Sequence, residues 1–567
     1  MAGGLLNLVS QGQQNIILNG NPSKTFFKAT YAKYTNFGLQ KFRVDFDGSR
    51  TLRLTEESSF TFKIPRYADL LMDCYVLIDL PSIWSPIFPP QQNGPNPNPD
   101  WVPYEFQWIE NIGAQMIKNV TITCGNQTLQ EFSGEYLLSL VQRDFSGAKQ
   151  ELFNRMIGNV VELTHPANAH GRVNAYPNAY YSPSVPGPEP SIPGRTLYIP
   201  LNAWFNLKSQ MAFPLVALQY NELHITVTLR PIYELFTIRD VMDPANQYPR
   251  IAPNFTLYYM QFYRFLQPPP DVCIGINSYV DTRTLWNSDI NLNCTYCFLS
   301  NDETRLFALN EQKYMFKQVR QSIFYNVTGP NKIQLDSLGL VSSWMFYFQR
   351  SDANLRNQWS NYTNYPYSNS PVGLVEAPIN PVASIGFPVY EYDGCSSLTI
   401  GPGINIGTGG NPGTLTGFML TPVYSIDNIQ TILVELGILL DGQYRENLQP
   451  VGVFNYIEKY VRTVANAPDG LYCYNFCLHT DPFDLQPSGA LNTNRFNLVE
   501  FEFTTITPSL DPNAQTLTIC NPETGNIIGI NKPTWRIYDY NFNMVLFEER
   551  INVVTFVGGN CGLMYAT

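Results

Sequence analysis

Ile225-Thr226-Val227-Thr228-Leu229 sets an apolar side chain at every second residue and a threonine between each pair. A strand turns successive side chains to opposite faces, so this pattern gives one buried face and one wetted face. A helix would scatter the same residues around its axis. The alternation recurs outward in both directions. Val120, Ile122 and Cys124 alternate with Thr121 and Thr123, Phe60, Phe62 and Ile64 with Thr61 and Lys63, and Phe42, Val44 and Phe46 with Arg43 and Asp45. Toward the C-terminus, Val499, Phe501 and Phe503 flank Glu500 and Glu502, and Leu517 and Ile519 flank Thr518. Helical patterns are scarce, Glu135 to Gln142 and Asp302 to Lys313 being the better short candidates. The balance predicts an all-β sandwich or barrel.

At 567 residues the chain exceeds one ordinary core and is long enough for two to four domains. A strand-like run from Ile290 to Leu299 ends just before Asp302-Glu303-Thr304-Arg305-Leu306-Phe307-Ala308, and another, Tyr314 to Ser322, starts just after, so a boundary is expected there. Direct sequence repetition between the halves is not visible. The connections are long: Pro81 to Pro103, Pro177 to Gly194 and Gly401 to Gly417 are rich in proline or glycine, which end strands and helices. Loops of that length are usually functional or disordered.

Charged residues make up 14% of the chain, against roughly 25% for an average soluble protein. With 35 Tyr, 35 Phe and 8 Trp, that scarcity fits a surface hidden in an assembly, because aromatic residues are enriched at interfaces. The bland reading, that large β proteins place aromatics in strands, is equally good on composition alone. A net charge of −11 without a dense basic run argues against direct nucleic-acid binding. The N-terminus lacks the basic start and unbroken apolar run of a secretory signal, and no apolar run reaches the roughly 20 residues of a membrane span. The ten cysteines are therefore expected to be mostly reduced.

Gly20-Asn21-Pro22-Ser23-Lys24-Thr25-Phe26-Phe27-Lys28, running on to Tyr31-Ala32-Lys33-Tyr34-Thr35-Asn36-Phe37, closely resembles the N-terminal signature of the major capsid proteins of nucleocytoplasmic large DNA viruses. Further similar segments follow in that family's order. They include Ile112 to Lys118 with Gly125-Asn126-Gln127-Thr128-Leu129, Gly134-Glu135-Tyr136-Leu137, Ile199 to Phe205, and Ala212 to Leu223. Later come Asp441-Gly442-Gln443-Tyr444-Arg445, Gly470 to Phe476, Gln486 to Arg495, and Tyr540 to Val545 with Gly562-Leu563-Met564-Tyr565. The set covers nearly the whole chain. The family's arginine-rich inter-domain helix is reduced here to Glu303-Thr304-Arg305, and Gly339 to Ser343 replaces its usual turn before Trp344.

The resemblance implies a double jelly roll: two consecutive eight-stranded jelly rolls with long surface loops and few short helices. The expected divisions are an N-terminal arm over residues 1–30, a first jelly-roll domain over 31–305 and a second over 306–567. It further implies a structural, non-enzymatic subunit forming pseudo-hexagonal homotrimeric capsomers of an icosahedral shell. The expected partners are neighbouring capsomers, minor capsid and penton proteins, and viral proteins associated with an inner membrane. The expected place is the virion's outer capsid shell, assembled in the host cytoplasm.

No catalytic, cofactor or metal residue is predicted. Cys294 and Cys297 are spaced like metal or redox ligands, but in a strand an offset of three points them to opposite faces. Cys473 and Cys477 would lie about 13 Å apart in an extended strand. His165, His170, His224 and His479 are scattered, and Glu500 with Glu502 reads as the wetted face of a sheet. Gly407-Thr408-Gly409-Gly410 lacks the lysine of a phosphate loop. Asn119, Asn126, Asn254, Asn293, Asn326 and Asn361 begin sequons with no secretory signal to direct them to glycosylation. The rival readings are a jelly-roll carbohydrate-active enzyme, which needs an acid pair converging on a cleft, and a lectin-like binding protein.

Overall fold

A computed structural model of the chain describes residues 3–48, 51–91, 100–181, 189–271, 273–275, 278–283, 286–367, 388–392, 398–402, 426–511, 517–521, 524–525, 527–531 and 537–565. The principal strands form two sets. The first comprises β1 Gly38–Val44, β2 Ser58–Lys63, β3 Leu70–Leu80, β4 Ile117–Cys124, β5 Gln127–Phe132, β6 Arg195–Pro200, β7 Leu223–Leu229 and β8 Asn291–Phe298. The second comprises β9 Gln312–Phe324, β10 Pro330–Leu335, β11 Leu340–Arg350, β12 Leu433–Leu440, β13 Gln443–Pro450, β14 Leu471–Asn475, β15 Val499–Thr505 and β16 Phe542–Val557.

Each set folds into two facing antiparallel sheets. The first has the orders β1-β8-β3-β6 and β2-β7-β4-β5, and the second β9-β16-β11-β14 and β10-β15-β12-β13. In both, the first strand pairs with the eighth, the third lies between the eighth and sixth, and the seventh joins the second to the fourth. That is the jelly roll, made twice. The duplication invisible in the sequence is explicit in the topology.

Register shows why the alternation reads correctly. Val227 lies opposite Phe60 and Val120, and Ile225 opposite Phe62 and Ile122, all inward. Thr226 lies opposite Thr61 and Thr121 in an outer threonine row, with Thr61 and Thr226 hydroxyls 3.1 Å apart. The hairpin between the fourth and fifth strands is tight in both sandwiches. Gly125 has φ +61, while Asp441 and Gly442 have φ +49 and +79, the doubly left-handed turn that an Asp-Gly pair favours.

The helices include α1 Gly134–Asp144, α2 Gly147–Met156, α3 Asn301–Leu309, and α4, in which Val453–Ile457 runs on into Glu458–Arg462. The helix expected over 302–313 stops at Leu309. Gln312 onward is taken up by β9, paired along its whole length with β16. No described helix is long and apolar enough to cross a membrane.

Turns at one end of the first sandwich are short, residues 64–69 and 125–126, whereas the loops after its third, fifth and seventh strands are long. The proline loops are better anchored than their composition suggests. Ile83 bridges to Ile192, Ile87–Phe88 pairs with Val102–Pro103, and Ile83, Phe88, Val102 and Ile192 are all buried. Residues 92–99, 182–188 and 403–417, including the Gly407–Gly410 segment, lie outside the described residues. The long loops of both sandwiches meet at this end: Asn357 donates to the Tyr233 and Phe236 carbonyls at 2.7 and 2.8 Å. The two sandwiches therefore stand side by side in the same sense.

The sheets differ in how they are covered. In β3 the inward Cys74, Val76 and Ile78 are buried while Tyr75 and Leu77 are half-exposed. In β11, Val341 to Phe348 is buried without a break. Trp344, Phe346 and Phe348 face the second sandwich's own core, while Met345 and Tyr347 join a core shared with the first. A strand buried on both faces loses alternation and becomes continuously apolar.

Candidate functional site: the seam between the sandwiches

Helix α1 starts two residues beyond the end of β5. The Ser133 hydroxyl caps it by accepting from the Tyr136 amide at 3.2 Å, and Glu135 sits at its positive end. It lies across the outer face of β9-β16-β11-β14. The Tyr136 ring is 5.7 Å from that of Phe547, and its hydroxyl donates to Glu549 Oε1 at 2.9 Å. Arg143, fully buried at the helix end, donates to Asp144 at 2.6 Å, Glu549 at 2.8 Å and Ser343 at 3.3 Å. Lys317 approaches the other Glu549 oxygen at 3.3 Å, and Ser343 donates to that oxygen at 2.6 Å. Two cations thus face two carboxylates across the seam.

Burial alone would raise the Glu549 carboxyl, but Arg143 and Lys317 outweigh it and hold the group down at about 2. Asp144 goes the other way: burial raises it, and the same arginine does not fully offset that cost. Arg143 is shared between Asp144, which takes two of its hydrogen bonds at 2.9 and 2.6 Å, and Glu549, which belongs to the other sandwich and takes one at 2.8 Å. A second group surrounds Glu135, which accepts from Arg230 at 2.6 Å, Tyr347 at 3.0 Å and Gln321 at 3.2 Å. Arg230 lies 4.4 Å above the Trp359 ring. Toward the short-turn end the seam is aromatic: Trp204 packs 5.6 and 5.4 Å from Tyr314 and Phe316, and Phe213 lies 5.1 Å from Phe556. Aromatic burial supplies most of the adhesion in such contacts. The paired charges fix which faces meet.

The residues weighed for chemistry do not converge. Cys294 is buried with its sulfur 3.5 Å from that of Cys74 on β3, and Cys297 packs with Leu70 and Phe307. Cys473 faces the seam, and Cys477 lies beyond the end of β14. Among the described residues no three of His, Cys, Asp and Glu gather as a metal site. His165 lies 3.7 Å from Glu110, His224 4.0 Å from Glu222 and His479 2.7 Å from Asp484, while His170 has left-handed backbone in a surface turn. Glu500 pairs with Lys332 at 2.9 Å, and Glu502 accepts from Tyr444 at 2.8 Å. Of the sequon asparagines, Asn361 is buried, Asn126, Asn254 and Asn326 are exposed, and Asn119 and Asn293 are half-buried. A cavity of about 510 Å³ beside Gln318, Leu340, Asn494, Arg550 and Tyr565 has no carboxylate in its lining. The functional residues that sequence reasoning missed are the seam charges, Arg143 and Glu549 above all, and helix α4.

Residues 25–267 match the family model for the N-terminus of major capsid proteins. A major capsid protein of Chrysochromulina ericina virus is 29% identical over 355 residues, covering 59% of this chain and 55% of that protein. One from Phaeocystis pouchetii virus is 24% identical over 575 residues, covering 96% of this chain and 98% of that one. Among solved structures, a quasi-atomic model of the PBCV-1 virus capsid superposes with a TM-score of 0.57 at 17% identity, covering 96% of this chain and 100% of that one, a likeness of fold.

Proposed function

We infer, from the chain's kinship with the major capsid proteins of nucleocytoplasmic large DNA viruses, that it is a structural subunit of such a virus's icosahedral capsid shell. One observation carries the reading from family to mechanism: two sandwiches of one strand order stand side by side, in the same sense, in a single chain. Three chains in a ring would present six similar wedges from threefold symmetry, and a six-sided block tiles a shell. The units proposed are an arm over 1–30 and jelly rolls over 31–305 and 306–567. The partners proposed are two further copies, neighbouring capsomers, minor capsid and penton proteins and inner-membrane-associated proteins, with assembly in the host cytoplasm. A sugar-cleaving or lectin-like role finds no support among the relatives, and Glu500 and Glu502 are each taken up by a sheet neighbour. The test is the native mass of the purified protein with electron microscopy of its assemblies. Trimers that build lattices support the reading, and a stable monomer that hydrolyses glycans overturns it.

The arm is the clearest sign of assembly in one chain. No residue from 3 to 41 is buried, and Leu8, Ile17, Leu18, Phe26, Phe27, Tyr31 and Tyr34 are each at least two-thirds exposed. So much bare apolar surface is ordered by neighbours rather than by its own core. We place it on the capsid's inner side. Deleting residues 1–19 should leave the thermal melt of the purified protein within a degree or two and abolish shell formation seen by microscopy. Normal shells from the truncation would refute this placement.

The long-loop end is proposed as the outward face. Its two proline loops lack amide donors at many positions and resist strand addition by a neighbouring subunit. Limited proteolysis of intact particles should cut within Pro81 to Pro103 or Pro177 to Gly194. Cleavage confined to residues 1–30 would place these loops at buried contacts instead.

A further inference from the structure

The two sandwiches make one joint inside the chain and leave its counterpart open. The helix after the fifth strand of the first sandwich, α1, seats on the sheet of the second that contains β11 and β14. The helix after the fifth strand of the second, α4, begins three residues beyond β13 and packs its inner face on its own sandwich, Phe454 lying 6.3 Å from Phe346 and 6.2 Å from Tyr474, while its outer face is uncovered among the described residues. Phe454 and Lys459 turn inward and are buried, whereas Tyr456, Ile457, Tyr460 and Val461 are 59, 56, 92 and 60% exposed. These four recur at i, i+1, i+4 and i+5, one face of a helix.

The sheet that would receive α4 is also open to solvent, though less so. The first sandwich's counterpart of β9-β16-β11-β14 is β1-β8-β3-β6. Its outward pair Leu77 and Tyr198 sit directly opposite each other, with Tyr198 47% exposed. In the second sandwich, the matching outward pair on the third and sixth strands, Tyr347 and Leu471, is buried, and Tyr347 donates to Glu135 of α1. Among the described residues each chain thus carries one uncovered helix face and one uncovered sheet face, of the two kinds already joined within it.

We infer that α4 of one copy docks through Tyr456, Ile457, Tyr460 and Val461 onto the outer face of β3 and β6 of the next, around Leu77 and Tyr198. The occupant is a second copy of this chain. The contact is head-to-tail, using different patches on the two copies, and such contacts close into rings when the rotation allows. With two wedges per chain, the ring closes at three. The inference rests on the capsid reading and names the surfaces through which its copies join.

Complementary variants test it. Tyr460→Asp with Val461→Asp spoils only the helix face, and Leu77→Asp with Tyr198→Asp spoils only the sheet face. Circular-dichroism melts matching the parent show that each still folds. Native mass spectrometry should find each variant alone monomeric. Mixed one to one, they should give a dimer and stop there, because the first keeps an intact sheet face and the second an intact helix face. Trimers from either variant alone, or no dimer on mixing, would overturn the docking surfaces. If the unaltered chain forms trimers in the same experiment, the capsid reading survives that loss; if the unaltered chain stays monomeric and builds no lattice, both fall.

Discussion

Arg143→Met should be among the most damaging single substitutions in this chain, costing about 3–5 kcal/mol of stability by leaving buried carboxylates unpaired. Glu549 and Asp144 are both fully buried, and Arg143 is within 2.8 Å of each. Lys317, at 3.3 Å, is the remaining cation for Glu549. The pH dependence separates this cause from simple loss of packing. In the parent, Glu549 titrates below its unfolded value, so its contribution is complete above roughly pH 4.3 and disappears as pH falls toward about 2. In the variant Glu549 keeps only Lys317 and Asp144, already raised by burial, loses the arginine that offsets it, so acidification should recover part of the lost stability. Urea unfolding at neutral and mildly acidic pH measures both effects. Combining Arg143→Met with Asp144→Asn and Glu549→Gln should also restore much of the loss. A triple variant no more stable than the single one would show that the charges are not the cause.

Trp344→Ala should cost about 3–5 kcal/mol, the range for deleting a large aromatic from a core. The Trp344 ring is fully buried, 4.8 Å from Phe476, 5.1 Å from Phe501 and 6.1 Å from Tyr474, and its indole donates to Glu548 at 2.9 Å. Truncation opens a void between the two sheets and removes a donor from a buried carboxylate, against a total stability of about 5–15 kcal/mol for a typical domain. The measurement is a calorimetric melt with near-ultraviolet circular dichroism. Trp344→Phe, which keeps one aromatic ring and loses the donor with part of the indole's volume, should fall well short of the alanine loss. Equal losses would assign the effect to what both variants lack, the donor and the outer part of the indole.

What could be read from the chain depended on how local the physics was. Val499 to Phe503 and Ile225 to Leu229 announce themselves because each strand has one wet face. Asp441-Gly442 announces a hairpin because few residue pairs adopt two left-handed conformations in succession. The run Trp344-Met345-Phe346-Tyr347-Phe348 carries no such alternation, since both of its faces are covered, one by a partner over 200 residues away. Arg143 and Glu549 meet across 406 residues, and nothing in either neighbourhood names the other. Helix α2 buries Phe153 alone, and α4 turns aromatic residues to its outer face, so neither shows the pattern of a helix packed on its own domain. The double jelly roll was accessible through the ordered resemblance of many short segments, but the seam is visible only in the folded chain.

The seam has a kinetic consequence. Its two faces are joined by a connector that includes the nine-residue helix α3, so they meet at an effective concentration set by that tether and unaffected by dilution. Any joint between separate chains has no tether and forms only as fast as copies find one another. The internal joint therefore closes while the polypeptide folds, at any expression level, whereas the ring proposed above would close only once subunits accumulate past a threshold. A shell built this way has its order of events written into its connectivity: complete pairs of wedges first, at no cost in collisions, and higher assembly only once enough of them are present.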